Sequence, residues 1–301
     1  MKYFSILPII LFLFVLHVQA QSLAPDTVKL WKTKLNFGIN VNQASFSSNW
    51  KAGGVNSIGL NSLFNLKANY LKGKHSWDNE IDLLFGFVNN AGQGYRKTTD
   101  RIFLDTKYGH SLNKNWDLFT SLNFLSQFAS GYKYNTAGDS STLISDFLSP
   151  AFITSAWGAE YHPVEYFKVR ISPFAPRLTL VQRPTRFTKS VGEKPYGVDS
   201  TKTVRTEWLA FQLMAEFNKD IAKNINLKWR YIMYANYETL ALKTIDHRLD
   251  LNITAKVNKY VNVGLGGILL YDYDQDSGAQ MSQSFTLGFV YAFQNYKEQI
   301  K

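Results

Sequence analysis

The chain has 301 residues, a net charge of +10 and no cysteine. Without Cys there is no disulfide, no thiolate metal site and no lipid-modified N-terminal Cys. The basic residues are spread through alternating segments, not gathered on one helix or patch, which argues against a nucleic-acid partner and for anionic lipid head groups or lipopolysaccharide.

The N-terminus reads as a secretory signal peptide over residues 1–20. Lys2 is followed by an apolar run from Ile6 to Val18, interrupted by Pro8, and by Val18-Gln19-Ala20 before Gln21. The run is too short for a good membrane span. No later stretch supplies roughly 18 consecutive apolar residues, so a helical membrane protein is not expected. Residues 21–30 form a polar, periplasmic lead-in. Aromatics are 15% of the chain at 45% hydrophobic residues overall, a balance suited to a protein in which only alternate residues meet lipid.

From Trp31 a period of two begins. Leu35, Phe37, Ile39 and Val41 oppose Lys34, Asn36, Gly38 and Asn40, which gives a strand with one apolar and one polar face. Ser45 to Asn56 is turn-rich, and the pattern resumes with Ile58, Leu60, Phe64 and Leu66 against Gly59, Asn61, Asn65 and Lys67. Ile81, Leu83, Phe85 and Phe87 oppose Asp78, Glu80, Asp82 and Gly86; a loop is expected around Asn89 to Asp100. Ile102, Leu104 and Tyr108 then oppose Asp105, Lys107 and Gly109. After a tight turn at Asn113 to Asn115, Trp116, Leu118, Leu122 and Phe124 oppose Asp117, Ser121 and Asn123.

A long polar loop is expected over Ala129 to Asp146, followed by Ile153, Trp157, Ala159 and Tyr161 against Thr154, Ala156, Gly158 and Glu160. Phe167, Val169 and Ile171 oppose Lys168 and Arg170, and Pro173 and Pro176 make the far half of that strand irregular. A long basic loop, roughly Gln182 to Val204, carries Arg183, Arg186, Lys189, Lys194 and Lys202. Five further strands follow, with Glu216, then Lys228 and Arg230, then Arg248, Asp250 and Lys256 on polar faces. The last, Phe285 to Phe293, has large apolar residues at every odd position, with Thr286, Gly288, Tyr291 and Phe293 spaced like the insertion signal of outer-membrane barrels.

The expected fold is therefore all-β: a transmembrane antiparallel β-barrel of about 12 strands, of the Gram-negative outer-membrane type, over residues 31–293. A short periplasmic tail covers residues 294–301. Short connections fall on one side and long ones on the other, so the short turns are placed in the periplasm and the long loops outside the cell.

Several phrases resemble a known family. They are Phe46 to Gly54 with its Trp50-Lys51-Ala52-Gly53-Gly54 core, Lys74 to Asn79, Arg96 to Asp100 with Lys107-Tyr108-Gly109, and Ser145 to Ala151. They resemble a domain-of-unknown-function family from Bacteroidota, DUF3078, of exported outer-membrane barrels. The resemblance implies location and fold. That family carries no established activity, so no catalytic residue transfers.

The strongest constellation lies on the inward face. Asp78, Glu80, Asp82, Asp105 and Asp117 stand on the third to fifth strands, and Lys168, Arg170, Lys228, Arg230, Arg248 and Lys256 on the seventh, ninth and tenth. In a ring of about twelve strands the third and ninth are opposite, so an acidic wall faces a basic one. One reading is a narrow porin-like pore whose transverse field sorts small polar solutes. The other is a lumen shut by ion pairs, in a structural or interaction barrel whose loops bind lipopolysaccharide or a protein partner. Trp50, Gly53, Gly54, Arg183, Arg186 and Lys189 are the candidate loop contacts. The backbone diameter of roughly 24 Å leaves both open, because Arg230, Trp208, Phe103, Phe119 and Tyr234 could fill much of it.

Catalysis is not expected. His247 shares no convincing height and parity with a Ser on a neighbouring strand, and His75, His110 and His162 fall near turns as interfacial residues. No metal and no cofactor are expected. Asp272, Asp274 and Asp276 have the spacing of an oxygen-ligand loop but lack the Glu that would complete it, so a solvated loop is the expectation there. The expected partners are outer-membrane lipid and lipopolysaccharide, the barrel-insertion machinery and small polar solutes.

Overall fold

The computed structural model describes residues 30–47, 55–135, 140–258 and 260–296. The signal peptide, nearly all of the lead-in, and Trp50, Gly53 and Gly54 fall outside the described residues. The strands are β1 (Trp31–Ala44), β2 (Ser57–Lys72), β3 (His75–Asn90), β4 (Gly94–Ser111), β5 (Trp116–Ser126), β6 (Gly131–Tyr134), β7 (Ser141–Ser145) and β8 (Ala151–Val164). They continue as β9 (Phe167–Phe174), β10 (Arg177–Leu180), β11 (Val204–Glu207), β12 (Ala210–Ala222), β13 (Ile225–Asn236), β14 (Asp246–Lys256), β15 (Val261–Tyr271) and β16 (Gln280–Gln294).

Alternation along each strand builds a sheet that bends back on itself. The order runs β8-β5-β4-β3-β2-β1-β16-β15-β14-β13-β12-β9, and β9 pairs with β8 again. The result is a closed antiparallel ring of twelve strands with no free edge at its seam. The first and last strands make that seam, in register from Lys34 opposite Gln294 to Asn40 opposite Gly288. Gly288 is required there, because a Cβ would stand 2.7 Å from the Ile39 carbonyl oxygen and closer still to Asn40 Oδ1.

The ring is inside out relative to a water-soluble protein. Phe37, Ile39, Leu104, Leu118, Trp157, Leu265, Phe285 and Phe289 are exposed on its outer face, while Glu80, Asp82, Asp105, Lys107, Glu160, Arg170 and Arg230 are buried within. Apolar residues outside and paired polar residues inside are what a bilayer demands of a closed sheet. At the end of the short turns, Trp31 lies 5.2 Å from Tyr70 and 6.0 Å from Trp77, Trp116 lies 4.8 Å from Tyr161, and Phe217 stacks on Trp229. These rings form an aromatic belt on the outer face.

Three expectations about the opposite end change. The loop around Asn89 to Asp100 is a turn of residues 91–93 between long strands, with Gly92 and Gly94 at positive φ. Residues 129–146 are not an open loop, because β6 and β7 pair as a hairpin within them. Residues 182–204 fold onto a small core of Val181, Phe187, Tyr196 and Val198, against which Leu143 and Val191 pack. Together these segments make a dome over the loop end of the barrel.

The dome is tied into the wall where the prolines interrupt the strand. β9 stops at Phe174, and the chain resumes beyond Pro176 as β10, which pairs with β8 on one side and β11 on the other. Gly158 permits this change of partner, since a Cβ there would fall 1.9 Å from the Ile171 carbonyl oxygen.

Candidate functional site: the lumen and the loop-end chamber

Of the acids and bases expected to point inward, Glu80, Asp82, Asp105, Arg170 and Arg230 are buried within the ring, and the two walls touch. The Arg230 guanidinium on β13 meets Glu80 on β3, six places away round the ring, and also donates to Glu216 at 2.7 Å. Arg101 on β4 reaches Asp82 at 2.7 Å and, across the ring, Asp250 on β14 at 3.1 Å. Arg248 holds the same Asp250 through two nitrogens, at 2.8 and 2.9 Å. Arg170 bonds Asp105 at 2.9 Å and Glu160 at 3.0 Å, and Lys107 bonds Glu160 at 2.7 Å and Asp78 at 3.1 Å.

Aromatic rings complete this layer. Arg230 lies over Phe103 with its guanidinium carbon 4.6 Å from the ring centre, and Arg170 lies over Phe119 at 5.8 Å. Lys107 is only 2% exposed and Arg230 7%. Buried charges on this scale are tolerable only when each has a partner. The layer is therefore a network of mutually neutralised side chains that spans the lumen.

Toward the turns the network gives way to a wetter mouth, where Lys67, Lys168, Lys228 and Asp78 keep roughly a third of their side chains exposed. Lys256 is exposed near its turn. His162 is not interfacial as expected: it has inward parity, and its Nε2 lies 3.2 Å from Asp117 Oδ2. Asp117, Glu160 and His162 are the group among the described residues whose ligand atoms lie within 4.8 Å of one another. Lys107 and Arg170 already neutralise Glu160 there, which opposes the arrival of a further cation.

Toward the loops the lumen opens into a chamber of about 400 Å³. Its lower wall is apolar, from Leu84, Leu125, Phe152, Ile232, Ile268 and Leu270. A connected pocket of about 190 Å³ lies beneath the dome, lined by Arg177, Tyr196, Arg205, Glu207, Tyr234, Asp246, Asp272 and Asp274 among others. Arg177 donates to Asp246 at 2.9 Å and lies 3.2 Å from the centre of the Tyr234 ring. Arg205 pairs with Glu207 at 3.0 Å and with Asp274. Asp272 is buried, against the solvated loop expected; its carboxylate accepts from the Asp274 N–H at 3.0 Å and from Gln275 Nε2 at 2.6 Å. Burial pushes the Asp272 carboxyl above its usual range.

Of the loop candidates, Arg183 and Lys189 are exposed, and Arg186 pairs with Asp146 at 2.8 Å, joining the dome to the end of β7. Trp208, expected as a lumen filler, is 65% exposed instead, because β11 ends one residue before it. Arg101 and Arg177 escaped the sequence reading. Arg101 shares the parity of Phe103 and Asp105, which would have revealed it had the strand been extended back through the expected loop. On the outer face His247 accepts or donates with the Tyr231 hydroxyl at 2.8 Å, and His75 stands edge-on to His110. Tyr291 and Phe293 also face outward, half exposed, on the β16 side of the seam.

The model of a family described as a protein of unknown function (DUF3078) matches residues 41–132. The match spans the Trp-Lys-Ala-Gly-Gly phrase and the phrases at 74–79 and 96–109, and bears out that resemblance; Ser145 to Ala151 lies beyond it. No curated protein matches by sequence. Among solved structures, the translocator domain of the autotransporter NalP from Neisseria meningitidis is 11% identical over 87% of this chain and 88% of its own, with a TM-score of 0.36. The NanC porin is 8% identical over 85% and 98%, at 0.39. An outer-membrane channel from Pseudomonas putida F1 is 11% identical over 90% and 100%, also at 0.39. At these values the likenesses carry no argument about what this chain does.

Proposed function

We propose that this protein is an outer-membrane β-barrel of the closed, interaction type, with its turns in the periplasm and its dome outside the cell. The observation that carries this is the pair of contacts spanning the lumen, Glu80 to Arg230 and Asp82 to Arg101 to Asp250. Such contacts leave no free acidic and basic walls to set up a transverse field. The outer aromatic belt and lipid-compatible face support the location. Gly288, Tyr291 and Phe293 serve as the insertion signal read by the assembly machinery, and the exposed Arg183 and Lys189 suit lipopolysaccharide phosphates.

A second reading is a gated passage for small polar solutes. It is favoured by the fact that side chains alone make the contacts across the lumen, with a chamber on one side and a wet mouth on the other. Planar-bilayer conductance of the refolded mature protein tests both. The wild type should be silent, and Glu80→Ser with Arg230→Ser should introduce discrete steps. Regular, long-lived, ion-selective steps from the wild type would sink the closed reading and favour the pore.

A further inference from the structure

We infer that the pocket beneath the dome is a binding site for a small organic cation, an amine carried on an apolar body. This goes beyond the closed-barrel reading and does not depend on whether the lumen conducts.

The pocket holds four carboxylates, Glu207, Asp246, Asp272 and Asp274, against two guanidinium groups, Arg177 and Arg205. Arg177 is committed to Asp246, and Arg205 to Glu207 and Asp274. Asp272 is left with an amide and a backbone N–H, and among the described residues it makes no ion pair. It is 6% exposed, so its charge has little water to lean on.

A second observation points the same way. Tyr234 is 2% exposed, lines the same pocket, and its hydroxyl has no hydrogen-bond partner. An unpartnered buried hydroxyl is costly, and a ligand with N–H groups would satisfy it. Asn236, Thr239 and Thr244 add neutral polar groups along the wall.

Size and wall chemistry select the kind of cation. The carboxylates here are not among the groups drawn within 4.8 Å of one another, as a bare metal ion would need. The remaining walls carry the rings of Phe152, Tyr196, Tyr234 and Tyr273; Arg177 already lies over Phe152 and Tyr234 and Lys243 over Tyr273, which leaves the Tyr196 ring for a ligand. A carboxylate beside an aromatic ring suits an alkylammonium, which gains from both the charge and the ring face. Exposed Thr239 and Asp274 border the way in.

The test is calorimetric titration of the refolded full-length protein in detergent micelles, corrected against empty micelles, with phenethylamine, neutral 2-phenylethanol and calcium chloride as separate titrants. Saturable binding of the amine alone is expected, weakened about tenfold or more by Asp272→Asn. Tyr234→Phe should weaken it too, by a smaller factor, and decides the matter if Asp272→Asn does not fold. Equal binding of the alcohol, binding of calcium in place of the amine, no amine binding, or wild-type amine affinity in both variants would each overturn the proposal.

Discussion

Arg101 shows how much one side chain can decide inside a barrel. It sits on β4 and links Asp82 on β3 to Asp250 on β14, so that one guanidinium neutralises two carboxylates from opposite walls. Replacing it with Met removes the bridge and leaves Asp82 with no cationic partner among the described residues, while Asp250 keeps Arg248. Loss of one partner from a buried pair is far more costly than loss of both, so Arg101→Met should destabilise the barrel by about 3 kcal/mol. Urea unfolding in lipid vesicles measures this. The triple change Arg101→Met, Asp82→Leu, Asp250→Leu should recover part of the loss, because it removes the stranded charges as well. A triple variant less stable than the single one would mean that these ion pairs stabilise the barrel in net terms.

A strand in this molecule is a two-sided object, and its sides answer to different solvents. On β16, Leu287 and Phe289 are exposed outward, whereas the intervening Gly288 is buried against Asn40. Phe285→Arg places a charge on the same outward face, opposite Leu265 in the middle of β15, and should cost about 2–4 kcal/mol in a bilayer. The same variant in detergent micelles should lose much less, since a micelle yields more readily to a charged side chain. Comparing urea midpoints in vesicles and micelles checks the assignment; equal losses in both would mean this face does not meet lipid. The contact between the two segments of the dome is governed by water and pH instead. Asp146 is partly buried, which disfavours its charge, but hydrogen bonds from Ser130 and the Phe147 N–H and the nearby Arg186 hold its carboxyl below the usual range. A depressed folded value means the stabilisation is present above the ordinary carboxylate range near pH 4 and is lost as pH falls through the folded value. Trypsin cleavage after Lys189 cannot be read at such pH, so hydrogen exchange of residues 182–191, corrected for the intrinsic rate at each pH, is the measurement, with loss of protection expected only below about pH 4.

At the scale of the whole molecule, closure rests on the seam between β1 and β16. Gly288→Val would drive a side chain into the Ile39 carbonyl and Asn40. The refolded protein should then lose the faster migration of an intact barrel on unheated gels, whereas Gly278→Val, in the loop before β16, should keep it. An unaffected Gly288→Val barrel would show that the seam tolerates a shift. The sequence by itself determined the twelve-strand ring, the side most strand residues face and the opposition of the third and ninth strands of that ring. Those follow from a period of two and from the circular order of hairpins, both of which are local properties repeated along the chain. Only the tertiary structure decided that the opposed walls touch, because contact depends on the reach of Arg101 and Arg230 across a diameter and not on parity. It alone placed Arg177 and Asp272 in one pocket, since β10 enters the wall after a proline break and the β15–β16 loop comes from the far end of the sequence. A pattern of alternation fixes which way a side chain points. What it meets there is set by the closure of the whole ring.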